Sequence, residues 1–325
     1  MNPEYSALEW SNRYYAATER KLEFRANTLQ EADLWRASLR GKVIELLGGF
    51  PSKRVPLEAQ IQNEEDAGDF IIRTLTFRSD EWSVVPADLL IPKDLKPGEK
   101  RPAVLAHHGH GQGRKMLLDD VDAHHGFGAG FARKGFVTLV PDGRGWGERG
   151  EEEGRENLNL ILMGKTIVGL RVWDSMVGFD LLQSLDFVDP DKLGMVGLSG
   201  GGTVTTFTSA IDERVKCACI SGYTCTWLGS IMAMSHCACN FIPGILEWAE
   251  NYDVAGLIAP RPLIVEAGDQ DPIFPLPAVK EAYAKLEEIY EVYGVREKLD
   301  LDVFSGDHQF SGAKSYDFFV KHLMG

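Results

Sequence analysis

The sequence has no apolar run long enough to span a membrane, so no transmembrane helix and no membrane partner are expected. Its amino terminus, Met1-Asn2-Pro3-Glu4-Tyr5, lacks both the basic segment and the apolar stretch of a secretory signal. Positive charge is scarce: Lys and Arg number 34 against 48 Asp and Glu, giving a net charge of −14. Such an acidic balance favours solubility and argues against nucleic acid as a partner. There is no internal repeat and no low-complexity linker. Cysteine is absent outside one short region, which crowds together Cys217, Cys219, Cys225, Cys237 and Cys239. An odd number cannot pair completely, which favours a reducing compartment and a cytoplasmic location. What is present is a chain of 325 residues, 44% hydrophobic, enough to bury a sizeable core in a single α/β unit.

The segment Met195-Val196-Gly197-Leu198-Ser199-Gly200-Gly201-Gly202 reads as a strand end, a sharp turn holding one serine, and a helix start. A serine at the tip of such a turn has a strained backbone, and bulky neighbours would collide with the adjoining strand and helix. Glycines two before and two after it relieve that crowding, the mechanical reason for the G-x-S-x-G nucleophile elbow. Lys192 to Val196 suits a buried parallel strand, and Thr203 to Ala210 can continue as a helix. The amino-terminal N–H groups and dipole of that helix favour a developing negative charge. The same pattern arises in turns without chemistry, so Ser199 as nucleophile depends on its partners.

Two partners follow in the order Ser, Asp, His. Pro262 to Gly268 is a second apolar strand running into Asp269-Gln270-Asp271-Pro272-Ile273-Phe274-Pro275. A carboxylate just past a buried strand end can orient an imidazole without being swamped by solvent. Asp271, in a turn stiffened by Pro272 and Pro275, is the expected acid. Asp269 reads as a turn or capping residue and Glu266 as a weaker substitute. Leu299 to Phe304 alternates as a strand, and Ser305 to Phe310 follows as a loop, which places His308 where a general base must lie.

Pro102 to His107 is a further strand, followed by the Gly-rich loop His108-Gly109-His110-Gly111-Gln112-Gly113. The histidines here and at His124 and His125 raise the question of a metal. No carboxylate stands among His107, His108 and His110 at ligand spacing. The Cys-Ala-Cys pairs beside His236 are not C-x₂-C, and Cys217 and Cys219 face one way on a strand as small apolar side chains. No metal and no cofactor are expected.

With these segments in hand, the chain resembles the α/β-hydrolase superfamily, in particular acetyl xylan esterase-like and dienelactone hydrolase-like carbohydrate esterases. The resemblance runs from about Phe70 to the carboxyl terminus. It rests on His108-Gly109-His110-Gly111, Asp142-Gly143-Arg144-Gly145-Trp146-Gly147, the elbow at Ser199, Ala259-Pro260-Arg261-Pro262 leading to Asp271, and the turn at His308. It implies an oxyanion hole made of the backbone N–H groups of Gly200 and His110. Acetyl xylan esterases commonly carry an aromatic residue where His110 stands, so the pocket wall should differ.

The expected architecture is an eight-stranded, mostly parallel sheet with helices on both faces. An amino-terminal helical extension over residues 1–60 should pack against the core or a second subunit of a homo-oligomer. The catalytic domain should fill 61–325, with a pocket-lining insertion at about 222–256. Phe70 to Arg78 and Val84 to Ile91 read as the antiparallel start of the sheet. Arg144, Trp146, Trp227, His236 and Phe241 are candidates for a polar–aromatic sugar pocket, although aromatic residues more often fill cores. The expected activity is that of a serine carboxylester hydrolase on small acyl or methyl esters of carbohydrates, without cofactor. Two alternatives stand beside it. One is a peptidase or thioesterase with the same residues, although peptidases of this fold generally carry a large extra domain. The other is a non-catalytic binding protein, although such proteins usually lose one member of the triad.

Overall fold

The computed structural model of the protein describes residues 3–150 and 152–325; Met1 and Asn2, which open the segment read above for a signal, lie outside them. Among the described residues one sheet is built from β1 (Gln60–Asp66), β2 (Phe70–Asp80), β3 (Ser83–Pro92), β4 (Arg101–His107), β5 (Val137–Pro141), β6 (Val188–Leu198), β7 (Val215–Ser221), β8 (Leu263–Gly268) and β9 (Leu299–Phe304). Their spatial order is β1-β2-β3-β5-β4-β6-β7-β8-β9. The pairs from β1 through β3 to β5 are antiparallel. Those from β5 through β4 to β9 are parallel.

The sheet therefore has nine strands rather than the eight expected. The additional one is β1, Gln-Ile-Gln-Asn-Glu-Glu-Asp, exposed along its whole length. It buries nothing and so has no hydrophobic alternation to betray it. Its register against β2 comes from backbone hydrogen bonding, and its acidic side chains discourage further pairing at that edge. The centre is the opposite case. Every residue of β4 after Arg101 is buried, as a parallel strand covered on both faces requires.

The helices are α1 (Ala7–Ala17), α2 (Leu29–Leu46), α3 (Phe127–Arg133), α4 (Glu153–Leu162), α5 (Ile167–Ser184), α6 (Gly200–Ile211), α7 (Asn251–Gly256), α8 (Leu276–Val292) and α9 (Ser315–Phe319). They cover both faces. One core joins Leu39, Val177, Phe207, Ala255 and Leu286, from α2, α5, α6, α7 and α8. The other joins Phe131 of α3 to Phe319 of α9, together with Cys217 and Cys219 of β7. In the amino-terminal extension, α2 buries Ala32, Trp35, Leu39 and Val43, the three- and four-residue spacing of one helix face. α1 buries no residue. The chain after it is tied down by Lys21 and Leu22, whose N–H groups donate to the Glu247 and Trp248 carbonyls at 3.0 and 2.8 Å.

The connections place the site. After β4 the chain crosses to β5 on one side, and after β5 it returns to β6 on the other. The carboxyl ends of β4 and β6 thus face a crevice at a topological switch point, where open parallel sheets hold their ligands. The loop after β4 is 108–113, and the residue after β6 is Ser199.

Candidate active site

Ser199 sits between the last residue of β6 and the first of α6 with φ 59° and ψ −119°, a conformation that an L side chain rarely adopts. Its N–H donates to the Ser221 carbonyl at 2.9 Å, fixing the turn to β7. Two flanking glycines have no room for a methyl group. A Cβ on Gly197 would lie 2.3 Å from the Gly201 oxygen, and one on Gly201 only 1.9 Å from the His107 oxygen at the end of β4. The close approach of α6 to β4 is what these glycines permit.

Asp271 lies just past β8 and is 6% exposed. One carboxylate oxygen accepts N–H bonds from Ile273 and Phe274 at 2.8 and 2.9 Å, and the other accepts from His308 Nδ1 at 2.7 Å. Burial alone would raise this carboxyl. The bond and charge of His308 outweigh it, and with the two N–H groups they hold Asp271 below its ordinary value. Asp269 is engaged otherwise, accepting from Gly306 N–H at 3.0 Å. Glu266 is buried and accepts from Ser311 and Gly312 N–H at 3.2 and 3.1 Å, which anchors the chain after the His308 loop.

His308 stacks on Phe274, ring centroids 5.6 Å apart, and rests above Gly222, where a Cβ would come within 3.0 Å of the ring. Its Nε2 is buried and has no hydrogen-bond partner. Ser199 and His308 line one cavity of about 480 Å³ together with Gly109, His110, His124, His236, Cys237 and Phe274. Within it, no hydrogen bond joins Ser199 to the imidazole.

The residues of the two expected N–H donors, Gly200 and His110, both line this cavity. Gly200 opens α6, so its N–H has no intrahelical acceptor. The His110 N–H has no backbone acceptor among the described residues. The loop that carries His110 is held by neighbouring histidines. His124 Nε2 accepts from Gly109 N–H at 2.9 Å while its Nδ1 bonds Asp122 at 2.9 Å. His108 Nε2 accepts from Gly143 N–H at 3.1 Å, and His107 Nδ1 lies 3.0 Å from the His108 carbonyl. Burial pushes His107 down to about 4 and His108 well below its usual range, so both are neutral struts of the loop. The role of Asp122 was not read from the sequence, where nothing distinguishes it from its acidic neighbours.

Of the sugar-pocket candidates, His236 alone lines the cavity that holds Ser199 and His308. Trp146 lines an adjoining cleft with His110 and Glu153, its ring beneath the Arg171 guanidinium at 3.3 Å and edge-on to His110. Trp227 and Phe241 line a separate apolar cavity of about 370 Å³ against α1, which shares Asn240 with the first. Arg144 lines none of the three. It forks onto both oxygens of Asp174 at 2.8 Å and reaches Asp80 at 2.6 Å. Asp174 also takes Arg149 at 2.7 Å. Burial would raise this carboxyl, but the two guanidinium groups hold it far below the carboxylate range. Arg144 is thus a structural ion-pair residue, not a pocket residue.

One group of donors suits a cation. Ligand atoms of His110, Glu153 and Cys237 lie within 4.8 Å of one another. The His110 imidazole, which burial alone would lower, is pushed up to about 11 by Cys237, Cys239 and Glu153. Sequence spacing hid this group, because Glu153 and Cys237 are far from His110 along the chain.

Comparison with known proteins places the chain among α/β-hydrolases. The model of the prolyl oligopeptidase family matches residues 129–291, a stretch that includes both Ser199 and Asp271. "Putative hydrolase YtaP" of Bacillus subtilis (strain 168) is 28% identical over 272 residues, 80% of this chain and 89% of that protein. A "putative acetyl xylan esterase" of Bacteroides fragilis NCTC 9343 superposes with a TM-score of 0.80 at 16% identity, covering 92% of this chain and 82% of that one. A methylesterase superposes with a TM-score of 0.73 at 21% identity, covering 97% of this chain and 66% of its own. With half of the chain matched by one family model, and an α/β-hydrolase sheet carrying a serine elbow at its switch point, this chain belongs to the prolyl oligopeptidase family of α/β-hydrolases.

Proposed function

We propose that the protein is a serine carboxylester hydrolase in which Ser199 is the nucleophile, His308 the general base and Asp271 the acid that orients it. The observation that carries this reading is the 2.7 Å bond from His308 Nδ1 to Asp271, which leaves Nε2 without a partner in the cavity that Ser199 enters. That bond fixes the tautomer, with the proton on Nδ1 and the lone pair of Nε2 free to accept. Rotation of the Ser199 side chain toward Nε2 completes the relay, a tightening that catalytic hydrogen bonds commonly await until substrate binds.

In the first step His308 takes the serine proton as Oγ attacks the ester carbonyl. The N–H groups of Gly200 and His110 receive the oxyanion, each contributing roughly 3–4 kcal/mol. His308 then protonates the leaving alcohol, and water repeats the sequence on the acyl-enzyme to release the acid. Every proton has a protein group to hold it, so no cofactor enters.

For the substrate we propose small acyl or methyl esters of carbohydrates. The structural relatives are named for esters, acetyl xylan in one case and methyl esters in the other. The cavity pairs polar His236 with the Phe274 ring, a mixture that suits a sugar's hydroxyls and apolar faces. A panel of acetylated sugars, methyl uronates and aryl esters tests the assignment, and failure of all three classes would sink it. The family name favours a second reading, peptide-bond cleavage by the same residues. Turnover of an aminoacyl-peptide substrate exceeding that of p-nitrophenyl acetate would establish that reading instead.

A further inference from the structure

We propose that His110, Glu153 and Cys237, with Cys239 as fourth donor, form a binding site for a thiophilic divalent cation of the zinc class, set in the wall of the Ser199 cavity. The donors come from three separate parts of the fold. His110 lies on the loop after β4, Glu153 in the first turn of α4, and the two cysteines around the short helical turn Ala238–Asn240. Cys239 Sγ stands 3.8 Å from His110 Nε2, and Glu153 Oε2 is 2.8 Å from the same nitrogen. Tetrahedral zinc, with bonds of about 2.0–2.3 Å to nitrogen, oxygen and sulfur, separates its ligands by roughly 3.3–3.8 Å. The three leading donor atoms all lie within 4.8 Å of one another, near the ligand separations of a zinc coordination sphere.

The surroundings separate this group from the other histidines and cysteines. Cys217, Cys219 and Cys225 are buried in apolar cores and meet no imidazole. The ring nitrogens of His108 and His124 are committed to bonds that hold their loop. Cys237 and Cys239 instead converge on an imidazole that already meets a carboxylate. The second Glu153 oxygen is 2.7 Å from Arg171 Nη1, an outer contact that orients the carboxylate as a ligand and offsets part of the thiolate charge. Cys237 is exposed and the His110 side chain is 30% exposed, so an ion can reach the site from solvent. Without an ion, a hydrogen bond joins His110 Nε2 to Glu153 Oε2. Binding would displace that proton and those of the thiols. The inference does not depend on the hydrolase reading, and no step of the proposed reaction passes through the ion.

The test uses the full chain, reduced, stripped of metal and titrated with Co²⁺ under anaerobic conditions. A thiolate-to-cobalt charge-transfer band saturating at one equivalent, accompanied by intense tetrahedral visible bands and displaced by Zn²⁺, is expected. Cys237→Ser should lower the saturated band to about half, leaving the Cys239 thiolate, and weaken Zn²⁺ binding at least tenfold. Glu153→Gln, which can still hydrogen-bond His110, should weaken Zn²⁺ binding while the far-ultraviolet dichroism stays that of the wild type. Cys225→Ser, away from the site, should leave the band intact. No charge-transfer band in the wild type, or a band of undiminished intensity in Cys237→Ser, or one that disappears in Cys225→Ser, would overturn the proposal.

Discussion

Asp271 meets His308 Nδ1 at 2.7 Å through one carboxylate oxygen and spends the other on the N–H groups of Ile273 and Phe274. The two oxygens thus have different duties, one locking the turn and one locking the imidazole. An amide at this position can keep only one of them. Asp271→Asn should therefore lower kcat on p-nitrophenyl acetate by about four orders of magnitude, the loss expected when the wrong tautomer is held. Asp269→Asn, whose partner is the Gly306 N–H, should cost no more than a few-fold. Reversal of that ranking in purified variants would move the acid by two residues.

Ser199→Ala should fold with an unchanged melting temperature and lose ester hydrolysis by several orders of magnitude. An alanine occupies the same strained backbone with one atom fewer. A fluorophosphonate should label the wild type and not the variant, and wild-type turnover in Ser199→Ala would end the triad assignment.

The pH profile should have a single rising limb. A general base accepts the serine proton only in its unprotonated form, so kcat/KM climbs from the acid side. Asp271 lies below its ordinary carboxylate value, so it is already charged throughout that range and adds no second limb. A profile falling between weakly acid and mildly alkaline pH would contradict this. The activity should also survive prolonged EDTA treatment, since each proposed step uses only protein groups.

Asp174→Asn should destabilise the fold by about 3–5 kcal/mol, because it removes the buried negative charge shared by Arg149 and Arg144, leaving Asp80 alone to balance Arg144. The Asp174 carboxyl is depressed in the folded state, so its contribution is present above the ordinary carboxylate pKa and is lost as pH falls through its folded value. Urea midpoints measured from neutral to acid pH should thus fall more steeply for the wild type than for the variant. Parallel curves would exclude the linkage.

Gly201→Ala should be severely destabilised, because the added methyl would lie 1.9 Å from the His107 oxygen, a backbone atom that cannot swing aside. Soluble Gly201→Ala with wild-type melting would show that α6 can retreat from β4.

The three triad candidates were legible because each stands where the chain needs special chemistry: glycines around Ser199, prolines after Asp271, and a strand end before His308. Those are local signals. Arg144 could not be placed from sequence because the choice between a cleft and a pair of buried acids depends on Asp80 and Asp174, which only folding brings to it. Trp227 and Phe241 could not be assigned to one cavity or another, because an aromatic side chain looks the same in sequence whichever side of Asn240 it faces. β1 escaped notice because it buries no side chain, so its place follows only from hydrogen bonds to β2.

The contact of Gly201 against the end of β4 has a consequence for how this scaffold can diversify. It welds the serine turn and the 108–113 loop into one rigid backbone unit, supported by neighbouring strands of the sheet. The wall around His236 and Cys237 belongs instead to the long excursion between β7 and β8. Under the proposed function, reactivity and selectivity would thus be encoded in separable stretches of chain. Exchanging that excursion for a relative's should redirect preference among sugar esters while the rate on a small activated ester persists, so new specificities are accessible without rebuilding the reacting centre.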